Sequence, residues 1–250
     1  MTAWRIHHRA ETASTNLDAR AGTHGDVFTA DFQTAGRGRL DHKWLSPPGT
    51  NLMMSAVLSV EGLSPEQVST LPLVAGLAVA EGLSPFVAGG LSPFVAGGLS
   101  PLLKWPNDVL VGGRKLAGIL CERQGDLVVV GVGVNVGQRD FPLELVGRAT
   151  SLALLCTGET PTCSSVRDGI LSKLDEFYSL WRKEGFAAVY PQVVVIDCLR
   201  GRVLSVRQTD DDALPVTGVC GGILPDGSLD VDGVRVYAGE AHVLSGEVQI

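Results

Sequence analysis

Residues 33–46 read Gln33-Thr34-Ala35-Gly36-Arg37-Gly38-Arg39-Leu40-Asp41-His42-Lys43-Trp44-Leu45-Ser46. The stretch has neither the 3.6-residue period of a helix nor the alternation of a strand, so it reads as a loop. Gly36 and Gly38 are expected to take positive φ and bring the backbone close to a ligand. Successive amides in such turns form anion-binding nests. Arg37 and Arg39 add cations suited to carboxylate or phosphate. The residues describe a loop built to hold an anion, with a ligand-free basic surface loop as the alternative. Two common phosphate fingerprints are excluded. Gly36-x-Gly38 lacks a third glycine, because position 41 is aspartate, and no G-x-x-x-x-G-K-[ST] occurs.

The flanks place this loop in a sheet. Residues 27–32 read as the strand that delivers it, and 52–60 as a near-continuous apolar run suited to a strand buried on both faces. Upstream, residues 4–10 can form a first strand. Ser14-Thr15-Asn16 then opens a short helical segment over 17–21, with Ser or Thr as N-cap. Downstream, Ser64-Pro65-Glu66-Gln67 combines an N-cap, a proline at N1 and a capping-box glutamine, and predicts a helix to about Glu81. The octamer Gly-Leu-Ser-Pro-Phe-Val-Ala-Gly of residues 82–89 recurs identically at 90–97. Two copies are too few for a solenoid, so the repeat reads as a tandem duplication in a surface connection.

Residues 102–105 form a strand ending at Pro106, and Gly112-Gly113 is a hairpin turn between 109–111 and 115–122. Residues 127–136 give a strand interrupted by Gly131 and Gly133, and glycine within a strand often marks close approach of a ligand. Residues 164–186 are an amphipathic helix with Ile170, Leu171, Leu174, Phe177, Tyr178 and Trp181 on one side, which reads as core. After Ile196 short strands and Asp-Gly turns at 226–227 and 232–233 indicate a small β-barrel. Expected domains are therefore 1–196, an α/β domain with a mixed central sheet, and 197–250.

A net charge of −7 argues against general nucleic-acid binding, and 45% hydrophobic with 19% charged residues fits a soluble globular protein. No run of 18 apolar residues suggests a membrane span, and the N-terminus lacks an apolar signal region. Five cysteines without a C-x-x-C pair read as reduced thiols of a cytoplasmic protein, without a metal site.

Q-T-A-G-R-G-R followed by Trp44 and Ser46 resembles the glycine-rich loop of biotin protein ligases. Three further blocks match that family in order: Ser14-Thr15-Asn16; Lys104-Trp105-Pro106-Asn107-Asp108 through Arg114-Lys115-Leu116-Ala117-Gly118-Ile119-Leu120; and Gly131-Val132-Gly133-Val134-Asn135. The resemblance runs over about 10–137. It implies the catalytic fold shared with class II aminoacyl-tRNA synthetases and an SH3-like C-terminal barrel. It also implies a monofunctional enzyme without an N-terminal DNA-binding domain, since Ser14-Thr15-Asn16 arrives so early. The closing residues 245–250 lack the basic residue often found just beyond, which puts a C-terminal ATP contact in doubt.

The implied reaction joins biotin to ATP as biotinyl-AMP, then transfers biotin to a lysine of a carboxyl carrier domain of an acyl-CoA carboxylase. Biotin, ATP and Mg²⁺ on the phosphates are the implied ligands, the protein being monomer or homodimer without DNA or membrane partners. Residues implied for biotin are Ser14, Thr15, Asn16, Gln33, Gly36, Arg37, Gly38, Arg39, Lys115, Gly118 and Gly133. Those for ATP are Arg37, Arg39, Trp44, Asn107, Lys115 and Asn135. Arg39, Lys115 and Asp108 would be catalytic, Asp108 by holding Mg²⁺ or helping deprotonate the incoming lysine. Gln33 both donates and accepts, which suits a urea-like ring. No nucleophile elbow accompanies them. A lipoate or octanoyl transferase and a non-catalytic carrier-binding module are the competing readings.

Overall fold

The computed structural model describes residues 2–40, 42–88, 99–156, 158–208 and 214–245. Among them, seven strands form one mixed sheet: β1 (Arg5–Thr12), β2 (Asp26–Gln33), β3 (Leu52–Ser59), β4 (Leu102–Lys104), β5 (Asp108–Val111), β6 (Arg114–Gln124) and β7 (Leu127–Val134). The order is β1-β2-β3-β7-β6-β5-β4, with only β1 and β2 parallel. The apolar run of β3 lies beside the central strand β7, and Leu52, Met53, Met54, Ala56, Val57 and Leu58 are all buried, as a strand covered on both faces requires. Gly112 and Gly113 both have positive φ, the backbone that a two-residue hairpin between β5 and β6 demands.

Helices α1 (Thr15–Ala19), α2 (Pro65–Ser69), α3 (Leu71–Ala88), α4 (Leu152–Leu155), α5 (Cys163–Glu184) and α6 (Tyr190–Val195) complete this part. Ser64 caps α2 by accepting from the Gln67 amide at 3.2 Å. The Gln67 side chain does not close the expected capping box; it donates instead to the Trp181 carbonyl on α5. Helices α2 and α3 together are long and apolar enough to cross a membrane, but they pack within the core against α5. The six apolar and aromatic residues expected on one side of α5 are all buried.

The first copy of the duplicated octamer is not a surface connection. Residues 82–88 continue α3, and Leu83 and Val87 are buried. Gly82 is where α3 meets α5, since a Cβ there would lie 2.7 Å from Ile170 Cα. The helix expected to end at about Glu81 continues through Pro85, because burial of Leu83 and Val87 carries it on. The second copy, 90–97, lies outside the described residues.

A second, antiparallel sheet contains β8 (Val203–Gln208), β9 (Val216–Ile223), β10 (Leu229–Val231), β11 (Val234–Val236) and β12 (Gly239–Ser245), in the order β11-β10-β9-β8-β12. It fits the SH3-like barrel expected there. Its apolar side chains join the same core cluster as those of the first sheet. Trp105 is buried and donates from Nε1 to the Gly227 carbonyl at 3.1 Å, which ties the two sheets together. All five cysteines are free, and burial pushes the Cys198 and Cys220 thiols up to about 12, as inert packed thiols. The closing segment read for a possible ATP contact lies beyond the described residues.

Candidate active site

Alternation along β6 and β7 sets Gly118, Leu120 and Glu122 on one face, with Gly131 and Gly133 beside them on the neighbouring strand. Gly118 is directly opposite Gly133, and Leu120 opposite Gly131. This bare backbone lies within a cavity of about 680 Å³ whose lining includes every sequence-selected site residue except Gly36. A Cβ at Gly133 would come 2.5 Å from the Trp44 ring, one at Gly118 would meet Lys115 at 3.1 Å, and one at Gly131 would collide with Asn16. The glycines are needed for close approach of side chains over the strands.

At one end of this floor stand Ser14, Thr15 and Asn16, all buried. Ser14 occupies the N-cap position of α1, yet its side chain makes no capping bond. The hydroxyl is thus left for the cavity, and the capping role read from the sequence is not used. Gln33 Oε1 accepts from the Thr15 amide at 2.7 Å and from the Thr15 hydroxyl at 3.1 Å. Ser55, fully buried in the apolar run of β3, brings its Oγ within 2.7 Å of Thr15 Oγ1 and 2.6 Å of Asn16 Oδ1. A hydroxyl in the middle of that run was the signal for Ser55, and the sequence reading passed over it.

The glycine-rich loop folds back as a small hairpin. Trp44 N–H donates to the Gly36 carbonyl at 3.0 Å and Gly38 N–H to the His42 carbonyl at 2.6 Å. Neither Gly36 nor Gly38 takes the expected positive φ; among the described loop residues Leu40 does, at 50°. Their need is for space, since a Cβ at Gly36 would lie 2.5 Å from the Trp44 carbonyl oxygen. The Gly38 and Trp44 amides serve the hairpin, so they do not contribute to the nest expected from the sequence. The hairpin lays the Trp44 indole on Gly133 and Gly118, with Lys115 Nζ 5.8 Å from the ring centroid. Trp44 Nε1 is buried without a hydrogen-bond partner.

The cations divide into two groups. Arg37 turns to Glu122, with Nη2 2.8 Å from Oε2 and 3.0 Å from Oε1. Arg39 donates from Nη1 to the Gly239 carbonyl of β12 at 3.1 Å and to Asn107 Oδ1 at 3.3 Å. Burial pulls the Arg39 guanidinium below its ordinary range, opposed by the charges of Asp108 and Glu240. Lys115 Nζ lies 2.7 Å from Asp108 Oδ1, an ion pair without hydrogen-bonding alignment, so that oxygen stays buried and unbonded. Asn107 Nδ2 donates to the Ile119 carbonyl at 2.8 Å, and Asn135 Nδ2 to the Thr150 carbonyl at 3.0 Å, so both amides are pinned to the backbone. Glu240, Ala241 and His242 reach the cavity from the second sheet, a contribution that distance in sequence concealed. Among the described residues, no group of three or more His, Cys, Asp or Glu converges as a metal site.

The sequence profile described as the Biotin/lipoate A/B protein ligase family matches residues 8–137. The chain is 35% identical over 256 residues to the biotin--[acetyl-CoA-carboxylase] ligase of Mycobacterium tuberculosis, covering 97% of this chain and 90% of that protein. It is 35% identical over 172 residues to the bifunctional ligase/repressor BirA of Bacillus subtilis, covering 66% of this chain and 49% of that protein. Among solved structures it matches a biotin protein ligase from Aquifex aeolicus in complex with biotin and ATP. The TM-score is 0.81 at 28% identity, over 97% of this chain and 99% of that one.

Proposed function

The chain belongs to the biotin/lipoate A/B protein ligase family, and from that premise we propose that it activates biotin with ATP and transfers it to a lysine of a carboxyl carrier domain. The observation that carries the reading is one cavity with a hydrogen-bonding end at Ser14, Thr15 and Gln33, a glycine floor at Gly118 and Gly133, and a cationic end at Arg39 and Lys115. A urea-like ring suits the first, a ring system packed close on backbone, in the place the Trp44 indole now takes, the second, and a carboxylate meeting a phosphate the third.

In the first step a biotin carboxylate oxygen attacks the α-phosphorus of ATP and pyrophosphate leaves. Two unit charges 4 Å apart repel by about 1 kcal/mol in water and about 4 kcal/mol at an effective dielectric of 20. Arg39 and Lys115 offset that repulsion as charge redistributes, so positioning and electrostatics suffice without a protein nucleophile. Their present partners, Asp108 for Lys115 and the Gly239 carbonyl for Arg39, keep both cations preorganised at the cavity. In the second step a carrier lysine attacks the anhydride carbonyl and AMP leaves. That amine, with an unperturbed pKa of about 10.4, arrives charged, and Asp108 is the carboxylate suited to take its proton.

Mg²⁺ would travel with the ATP phosphates, and the Asp108 carboxylate, paired through Oδ1 with Lys115, is the protein group suited in kind to hold it. It would add positive charge at the phosphates. Trp44, laid on the glycine floor, suits a cover over the biotin end better than an adenine platform. A reducing compartment such as the cytoplasm fits the five free thiols.

The test is pyrophosphate release from ATP with biotin, lipoate or octanoate supplied separately. Release with biotin alone supports the reading. Release with lipoate or octanoate instead would move the protein to the other branch of its family, and release with none would leave only carrier binding.

A further inference from the structure

We propose that Glu122 is a positioning residue for the biotin end of the cavity, and that Arg37 works there with it rather than on the phosphates. The inference rests on the ligase reading and assigns parts within it. Glu122 sits on β6 two pleats beyond Gly118, on the same face as the glycine floor. Its two oxygens gather two elements far from β6 in sequence, the α1 segment and the glycine-rich hairpin. Asn16 Nδ2, from α1, lies 2.7 Å from Oε2. Arg37, from the glycine-rich hairpin, holds both oxygens, and Arg20 Nη2 approaches Oε1 at 3.2 Å.

This fixes two things at once. Asn16 is buried, with its Nδ2 given to Glu122 and its Oδ1 2.6 Å from Ser55 Oγ, so its amide has one orientation. The side chain then stands against Gly131 beside the cavity. Arg37, with its guanidinium engaged by the carboxylate, anchors the hairpin between Gly36 and Gly38 and so sets where Trp44 rests. Burial raises the Glu122 carboxyl, but the Asn16 and Arg37 hydrogen bonds and the charges of Arg37 and Arg20 outweigh it and keep it below its usual range. As a partly exposed ion pair it contributes little to global stability. Its value is geometric, because a charge-assisted pair directs both partners.

Steady-state pyrophosphate release, with biotin and ATP varied separately, tests this in the parent, Glu122→Gln, Arg37→Gln and the double variant. Glu122→Gln is expected to raise KM for biotin roughly tenfold, the size of one lost hydrogen bond to a charged group, with KM for ATP within twofold. The double variant should be no worse than the worse single one, since both changes break the same contact. An unchanged biotin KM, or an equal rise in KM for ATP, overturns the assignment and returns Arg37 to the phosphates. Should Glu122→Gln melt far below the parent, Arg37→Gln, on the exposed side of the pair, carries the same test. A parent without biotin-dependent release removes the ligase reading and this one with it. An active parent with unchanged variants removes only this one.

Discussion

Arg39→Gly isolates the electrostatic part of the mechanism. The side chain reaches from the glycine-rich hairpin to the Gly239 carbonyl at 3.1 Å and Asn107 Oδ1 at 3.3 Å, so its loss has a structural and a chemical component. The structural one is small. Both acceptors gain access to water once the side chain is gone, and partly exposed contacts of this kind are worth about 1 kcal/mol in total. For a chain of this size that lowers Tm by about 2–4 °C. The chemical component is larger, because one preorganised donor at developing charge contributes about 2.7–4 kcal/mol, or 10²–10³ in rate. Adenylate formation should slow accordingly, or the adenylate should escape and biotinylate bystander lysines. The assay is pyrophosphate release at saturating biotin and ATP, with a thermal melt and a bystander protein probed for biotin. A variant that melts within that range, makes pyrophosphate at the parent rate and leaves the bystander unmodified refutes the role given to Arg39.

Ser55→Ala should lower stability by about 1–3 kcal/mol, since it strips the buried Asn16 Oδ1 of a partner, and should raise KM for biotin several-fold; an unchanged melt and KM would contradict the network drawn around Asn16. Deleting residues 90–97 yields the same sequence as deleting 82–89, so α3 keeps one octamer and stability should change by no more than about 1 kcal/mol. Leu83→Ala, in the helical copy, should instead cost about 2–5 kcal/mol in denaturant titration, and the reverse ranking would show the second copy to be the packed one. The Arg5 hydrogen bond, then those of Thr23 and His7, outweigh burial and hold the Asp26 carboxyl far below the usual range. Its folded pKa is depressed, so its contribution is present above the unfolded value near 4 and is lost as pH falls below it. Asp26→Asn should flatten that acid limb of the Tm–pH curve; a parallel curve would show the pair to be inert.

Much of the sheet was legible because β3, β7 and α5 carry long, regular apolar patterns. Gly112-Gly113 and Asp232-Gly233 announced their turns, and both have the positive φ that tight hairpins need. What escaped were contacts set by tertiary packing. The prolyl octamer reads locally as a connection, yet burial of Leu83 and Val87 makes its first copy helical. Gly36 and Gly38 were read for φ, whereas the hairpin uses them for closeness to Trp44 and His42. In the site, residue types marked Thr15, Gln33, Arg39 and Lys115. Ser55, Glu122 and Gly239 gained their parts only by juxtaposition, since neighbours dozens of residues away determine what a serine, a glutamate or a backbone carbonyl does.

The central claim is chemical, and the mass of a carrier domain measures it directly. A biotin carboxyl carrier domain incubated with the protein, biotin and ATP should gain the mass of one biotinyl group. The gain should map to a single lysine and vanish when that lysine is arginine or when ATP is omitted. A carrier that stays at its starting mass with all components present, or that gains a lipoyl or octanoyl group when those acids are supplied and never biotin, would contradict the account.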